Sequence, residues 1–153
     1  MNLPIRPTLA GLAVAFIAGC SLMTPPANLD LRLTRPSAHA LYTVTIRPLV
    51  EPPRINQLHA WDIAITDAAG TPVPDARIAV GGGMPQHYHG FPTAPRVTEN
   101  LGAGHYRLDG VKFSMSGWWE IKLDIVAPQG GDQIVFNTVV ADPAQMPPTA
   151  DAR

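Results

Sequence analysis

An all-β fold, an immunoglobulin-like β-sandwich of about seven strands, is what the sequence predicts. Three observations carry this. Apolar and polar residues alternate with period two through the middle of the chain. Turn residues separate these runs, and no stretch carries the 3.6-residue apolar period of a helix.

The elements follow in order. Tyr42, Val44 and Ile46 make one face of a strand over Leu41–Ile46. Trp61, Ile63 and Ile65 alternate with Asp62, Ala64 and Thr66, and Asp67-Ala68-Ala69-Gly70-Thr71-Pro72 is turn chemistry. Ala76, Ile78 and Val80 resume the alternation. Tyr106 and Leu108 precede a predicted turn at Asp109-Gly110, and Val111 and Phe113 follow it. Trp119, Ile121, Leu123 and Ile125 alternate with Glu120, Lys122 and Asp124 in the clearest amphipathic strand of the chain. A hairpin loop over Ala127–Asp132 leads to a last strand, Ile134–Val140.

The two ends read differently. Thr8 to Ala18 is an apolar run behind a short segment carrying Arg6, with the length and flanks of a secretory signal rather than a membrane span. It ends at Ile17-Ala18-Gly19-Cys20, which resembles the bacterial lipoprotein box. That resemblance implies cleavage after residue 19, lipidation of Cys20 and a membrane partner reached through the lipid. Cys20 is the sole cysteine of the chain, and a lone exported thiol has no disulfide partner. Ser21 follows it, which by resemblance to Gram-negative sorting favours the outer over the inner membrane, facing the periplasm. Residues 20–37 hold Pro25, Pro26 and Pro36 and read as a flexible tether, although Leu29–Leu33 alternates as a first edge strand would. Residues 38–141 are the folded domain. Residues 142–153, with Pro143, Pro147 and Pro148, read as a disordered tail.

The full chain has a formal net charge of −1, and loss of Arg6 with the leader makes the remainder slightly more acidic. A nucleic-acid partner, whose phosphates call for a basic face, is not expected.

Chemistry is concentrated in two segments. Gly81-Gly82-Gly83-Met84-Pro85-Gln86-His87-Tyr88-His89-Gly90 holds two of the five histidines. Met115-Ser116-Gly117-Trp118-Trp119-Glu120 is the second. If the first is extended, His87 and His89 leave the same face with Cα atoms about 6.5–7 Å apart. Met84 then swings in if Pro85 turns the chain, and Met115 sits opposite in a sandwich. Thioether with imidazole suits copper, chiefly Cu(I), better than magnesium, calcium or zinc. Met84, His87, His89 and Met115 are therefore the candidate metal ligands. Each has a plainer reading as well: surface histidines, and methionines packed in the core. His39, His59 and His105 read as structural or surface residues, Trp119 as core, and Trp118 as pointing the other way. Ser114 and Ser116 lack a nucleophile context, and Gly81-Gly82-Gly83 opens no helix, so it reads as a flexible or bulged turn. No enzyme activity is expected.

Gly70-Thr71-Pro72-Val73-Pro74-Asp75-Ala76-Arg77-Ile78, Met84-Pro85-Gln86-His87-Tyr88-His89-Gly90, Pro92-Thr93-Ala94-Pro95, Gly104-His105-Tyr106-Arg107-Leu108 and Phe113–Ile121 together resemble the YtkA-like domain family, which is related to FixH-like proteins. The resemblance covers Trp61 to Ile125. It implies an exported β-sandwich whose relatives resemble accessory proteins of copper handling and of cytochrome oxidase assembly, many with no assigned activity, with a copper-handling or other envelope protein as partner. FixH proper carries a transmembrane anchor, and no apolar run after residue 19 here is long enough to serve as one, which weighs against an oxidase-assembly role. Two functions follow: a copper-binding envelope lipoprotein, or a non-catalytic module that binds an envelope protein through the same loops without metal. Convergence of the four ligands would favour the first.

Overall fold

The structure is a computed structural model that describes residues 24–142. The signal segment, Cys20 and residues 143–153 of the tail lie outside the described residues. Within them the chain forms β1 (Thr34–Pro36), β2 (Tyr42–Pro48), β3 (Leu58–Asp67), β4 (Arg77–Met84), β5 (His89–Gly90), β6 (Arg96–Gly102), β7 (His105–Lys112), β8 (Gly117–Ala127) and β9 (Gly130–Val140). A 3₁₀ turn at Pro85–His87 lies between β4 and β5.

These strands build two antiparallel sheets, ordered β1-β2-β3-β7-β6 and β5-β4-β8-β9. The period-two alternation determines which side chains meet between them. Tyr42, Val44, Ile46, Trp61, Ile63, Ile65, Tyr106 and Leu108 come from one sheet, and Trp119, Ile121, Leu123, Ile125 and Phe136 from the other, all at most 1% exposed. This layer of apolar burial drives the fold.

Hydrogen bonds from buried polar groups fasten the sheets to each other. The Tyr106 hydroxyl accepts from the Ala76 N–H at 2.8 Å and donates to the Val73 carbonyl, tying β7 to the β3–β4 connection. Tyr42 donates to the Gly130 carbonyl at 2.6 Å, reaching from β2 to the β8–β9 hairpin. Asp132 on β9, its side chain fully buried, accepts from the Ser37 hydroxyl at 2.6 Å, from His39 Nδ1 at 2.9 Å and from the backbone N–H groups of His39, Leu41 and Gln133.

Burial alone would raise the Asp132 pKa. The hydrogen bonds from Ser37, Gln133 and His39 outweigh it and hold the carboxyl well below the usual 3.8. Removing this acceptor strands several buried donors. Asp132→Ala should therefore lose about 2–4 kcal/mol in urea unfolding at neutral pH. A depressed carboxyl pKa contributes stability above its unfolded value, which is lost as pH falls through the folded one. The gap between variant and wild type should accordingly narrow once pH drops below 3.8.

Four sequence expectations change. Asp109-Gly110 is not a turn. His59 pairs with Val111 and Trp61 with Leu108, so Asp109 and Gly110 together oppose Ala60 alone. This is a β-bulge, with Gly110 at φ 87° absorbing the extra residue, and one strand runs through it. Gly81-Gly82-Gly83 is not a turn either but the end of β4, paired with Lys122, Ile121 and Glu120. β6 was not anticipated. It is an edge strand with only Val97 turned partly inward and two register shifts against β7, so it carries no alternating pattern.

The fourth change is at the segment read as a tether. Its edge strand is Thr34–Pro36 rather than Leu29–Leu33. Around it, Arg35 donates to the Val135 carbonyl at 2.6 Å and the Ala38 N–H to the Gln133 carbonyl at 2.9 Å. Asn137 donates to the Asp30 carbonyl at 3.0 Å. These contacts cover the free edge of β9, which proline content alone could not reveal.

The register gives the sandwich two distinct poles. β4 and β9 end, and β8 begins, at one pole, where β2 and β7 end and β3 begins. Both chemistry-bearing segments lie there.

Candidate functional site

Local backbone geometry brings the histidines together, though not as an extended strand. Pro85 opens the 3₁₀ turn, its fixed φ suiting the first position, and Met84 before it is extended at φ −101°. Tyr88 then adopts a left-handed φ of 54°, reversing the chain so that His89 pairs with Met84 and Gly90 with Gly83 in β5. The expectation of an extended segment is thus corrected by proline at the turn start. The turn still sets the His87 and His89 rings 6.0 Å apart between centroids, inclined at 36°.

The reversal needs close backbone approach, which glycine permits. A Cβ on Gly82 would overlap the Glu120 carbonyl oxygen and lie 2.7 Å from the Phe91 ring. One on Gly83 would overlap the His89 carbonyl oxygen and lie 2.7 Å from the Gly90 Cα. Both have positive φ, 139° and 157°, which disfavours any side chain. Gly81 has nothing within 4 Å of such a Cβ.

Beneath the turn is an aromatic cluster. The His89 ring meets Trp119 edge-on at 5.6 Å, and Phe91 stacks on the same indole at 5.6 Å and 7°. Phe113 packs edge-on to Trp119 at 5.3 Å. Trp119 is fully buried and donates its indole N–H to the Met115 carbonyl at 3.0 Å. One core side chain therefore supports both chemistry-bearing segments. Trp118, on the outer face, donates to Asn137 Oδ1 at 2.9 Å.

His89 Nδ1 lies 3.0 Å from the Gly90 carbonyl oxygen. A carbonyl only accepts, so Nδ1 is the donor of this bond. Metal-binding histidines are oriented by such partners. His87, Tyr88 and His89 are exposed, and Tyr88 is 96% exposed. An open groove of about 330 Å³ lies alongside, lined by Gly82, Gly83, Met84, His89, Glu120 and Lys122 among others. Glu120 and Lys122 form an ion pair there at 3.0 Å.

The two methionines differ. Met84 is 2% exposed, with its methyl toward Gly117, at 3.1 Å from where a Cβ there would stand. Met115 is 42% exposed and so is not sealed in the core. Of the four candidate ligands, the structure brings His87 and His89 together, pairs Met84 with His89 through the backbone, and joins Met115 to His89 through Trp119.

The ring separation lies within the span that one ion shared by two imidazoles allows. A nitrogen-bound imidazole places its centroid roughly 3.2 Å from the ion, given a metal–nitrogen bond of about 2.0–2.1 Å. Two rings on one ion then have centroids up to about 6.4 Å apart, and the observed separation of 6.0 Å falls inside that limit. Among the described residues, no three His, Cys, Asp or Glu side chains converge as a metal-holding group.

The fold and this loop define a two-sheet, antiparallel β-sandwich with a His-Met turn at one pole. The family model described as YtkA-like matches residues 38–124, and the chain belongs to that family. No curated protein matches. Among solved structures, a DUF4426 family protein of Pseudomonas aeruginosa PAO1 is similar at TM-score 0.51 and 13% identity, over 70% of this chain and 94% of that one. The ZirS C-terminal domain is similar at TM-score 0.41 and 12% identity, over 90% and 84%. At 13% identity the first likeness speaks to fold alone, and the second carries no argument. Among the described residues, no helix is long and apolar enough to cross a membrane.

Proposed function

We propose that this protein is a cell-envelope lipoprotein, anchored through Cys20, that binds copper at the His-Met pole and buffers or delivers it in the periplasm without catalysing a reaction. The observation that carries the reading is the pair of exposed imidazoles 6.0 Å apart, on a turn that follows directly after Met84. Met84, His87, His89 and Met115 are the proposed ligands. Copper is cargo here, taken up and released by ligand exchange. An exposed site allows an incoming donor to displace the histidines one at a time, while the methionines retain affinity for Cu(I).

The fold reading is immunoglobulin-like. The strand orders β2-β3-β7-β6 and β4-β8-β9 match the two sheets of a seven-strand immunoglobulin sandwich, with β1 and β5 as short additions, which supports it. A signal peptide and outer-membrane placement are part of the same proposal and rest on the Ile17-Ala18-Gly19-Cys20 segment and Ser21.

A second reading is favoured by one feature, the open groove beside the almost fully exposed Tyr88. In it, the pole binds an envelope protein without metal. Titration of residues 22–153 with Cu(I), under reductant and against a competing chelator, separates the two. The copper reading expects tight one-to-one binding. Failure to compete with the chelator would leave the docking module.

A further inference from the structure

The exposed apolar side chains are unevenly distributed. Leu49, Val50 and Leu58 are 51%, 69% and 70% exposed where β2 ends and β3 begins. Tyr88 and Met115 project from the turns at the same pole, and Val139, 44% exposed, is one residue from the end of β9. At the opposite pole Leu101 and Val126, 51% and 57% exposed, stand singly near the ends of β6 and β8, and the Asp67–Thr71 turn is polar, closed by Asp67 Oδ1, which accepts from the Ala69 and Thr71 N–H groups.

The N-terminal segment reaches the same pole. Gln86, in the turn between Met84 and His87, donates from Nε2 to the Thr24 carbonyl at 3.0 Å. Thr24 is four residues from Cys20, so an extended chain puts the two at most about 14 Å apart. A lipid on Cys20 would hold this pole near the bilayer, while the length of β8 and β9 separates it from the other by roughly 35 Å.

We propose that the pole bearing Leu49, Val50, Leu58, Tyr88 and Met115 rests on the phospholipid surface to which Cys20 is anchored. This rests on the lipoprotein reading above. Exposed leucine and valine enter the headgroup–acyl boundary, and an exposed tyrosine is amphipathic in the way that boundary favours. The adjoining loop carries Arg54 and Glu51, and Lys112 ends β7, which leaves a net positive charge of one among these three toward anionic headgroups. The pole thus presents the His-Met turn at the height of the headgroups, where exchange with a membrane-embedded partner is sterically open.

The test uses the full, host-processed chain in vesicles of phosphatidylethanolamine and phosphatidylglycerol carrying a headgroup-level quencher. An environment-sensitive fluorophore is placed on Tyr88→Cys or Leu58→Cys at this pole, and on Ala69→Cys at the other. The expected result is strong quenching with a blue shift for the first two and neither for the third. Leu58→Asp introduced into the Tyr88→Cys chain should reduce the quenching without releasing the protein from the vesicles. Protein that floats with the vesicles but shows equal, weak quenching at both poles overturns the proposal and leaves the lipoprotein reading standing. Protein that does not float overturns both.

Discussion

The His87→Ala/His89→Ala variant should lose Cu(I) affinity by at least about a hundredfold, since removing even an outer partner of a metal ligand typically costs 10–100-fold. The two rings lie 6.0 Å apart between centroids. Both are exposed, so the fold should survive. The His89 contact with Trp119 is edge-on at 5.6 Å, and its loss should lower stability by only about 1 kcal/mol. Competition against a Cu(I) chelator, with thermal unfolding of the same samples, reads both quantities. A variant that unfolds like wild type yet keeps its affinity would mean the copper ligands lie elsewhere.

Gly82→Ala should destabilise the domain by about 3 kcal/mol or more, for two reasons that act together. The added Cβ overlaps the Glu120 carbonyl across the strand pair and presses on Phe91, and neither backbone nor a stacked core ring gives way cheaply. The φ of 139° adds backbone strain for any L side chain. Gly83→Ala should behave alike, its obstruction being the His89 carbonyl. Gly81→Ala, two positions from Gly83 in the same run, meets nothing within 4 Å and should change stability by no more than about 0.5 kcal/mol. Urea unfolding of the three variants makes the comparison within one sequence motif. If all three were equal, the run would be a flexible linker after all, and the His-Met turn would not be positioned by it.

The sheets were legible in the sequence because period two is enforced wherever one face is buried. Tyr42, Trp61, Ile121 and Phe136 each fall where alternation puts them. What was not legible depended on partners distant in the chain. Asp109-Gly110 has turn composition, and only the position of Ala60 opposite shows that it is a bulge. Gly82 and Gly83 look like flexible residues until Glu120 and His89 are brought against them. β6 has one partly buried apolar residue and so leaves no pattern. At the candidate site, the sequence identified the residue types and Pro85 as the turning point. It missed that Trp119, read simply as core, links Met115 to His89. It also missed Gln86, whose bond to Thr24 becomes meaningful only once both are placed.

X-ray absorption at the copper edge of the Cu(I)-loaded protein tests the central claim most directly, because it identifies the donor atoms. Mixed scattering is expected, with two imidazole nitrogens at about 2.0 Å and at least one sulfur farther out. The imidazole multiple-scattering signal should be absent from the His87→Ala/His89→Ala variant. Sulfur-free scattering, or imidazole scattering that survives in the variant, would contradict it.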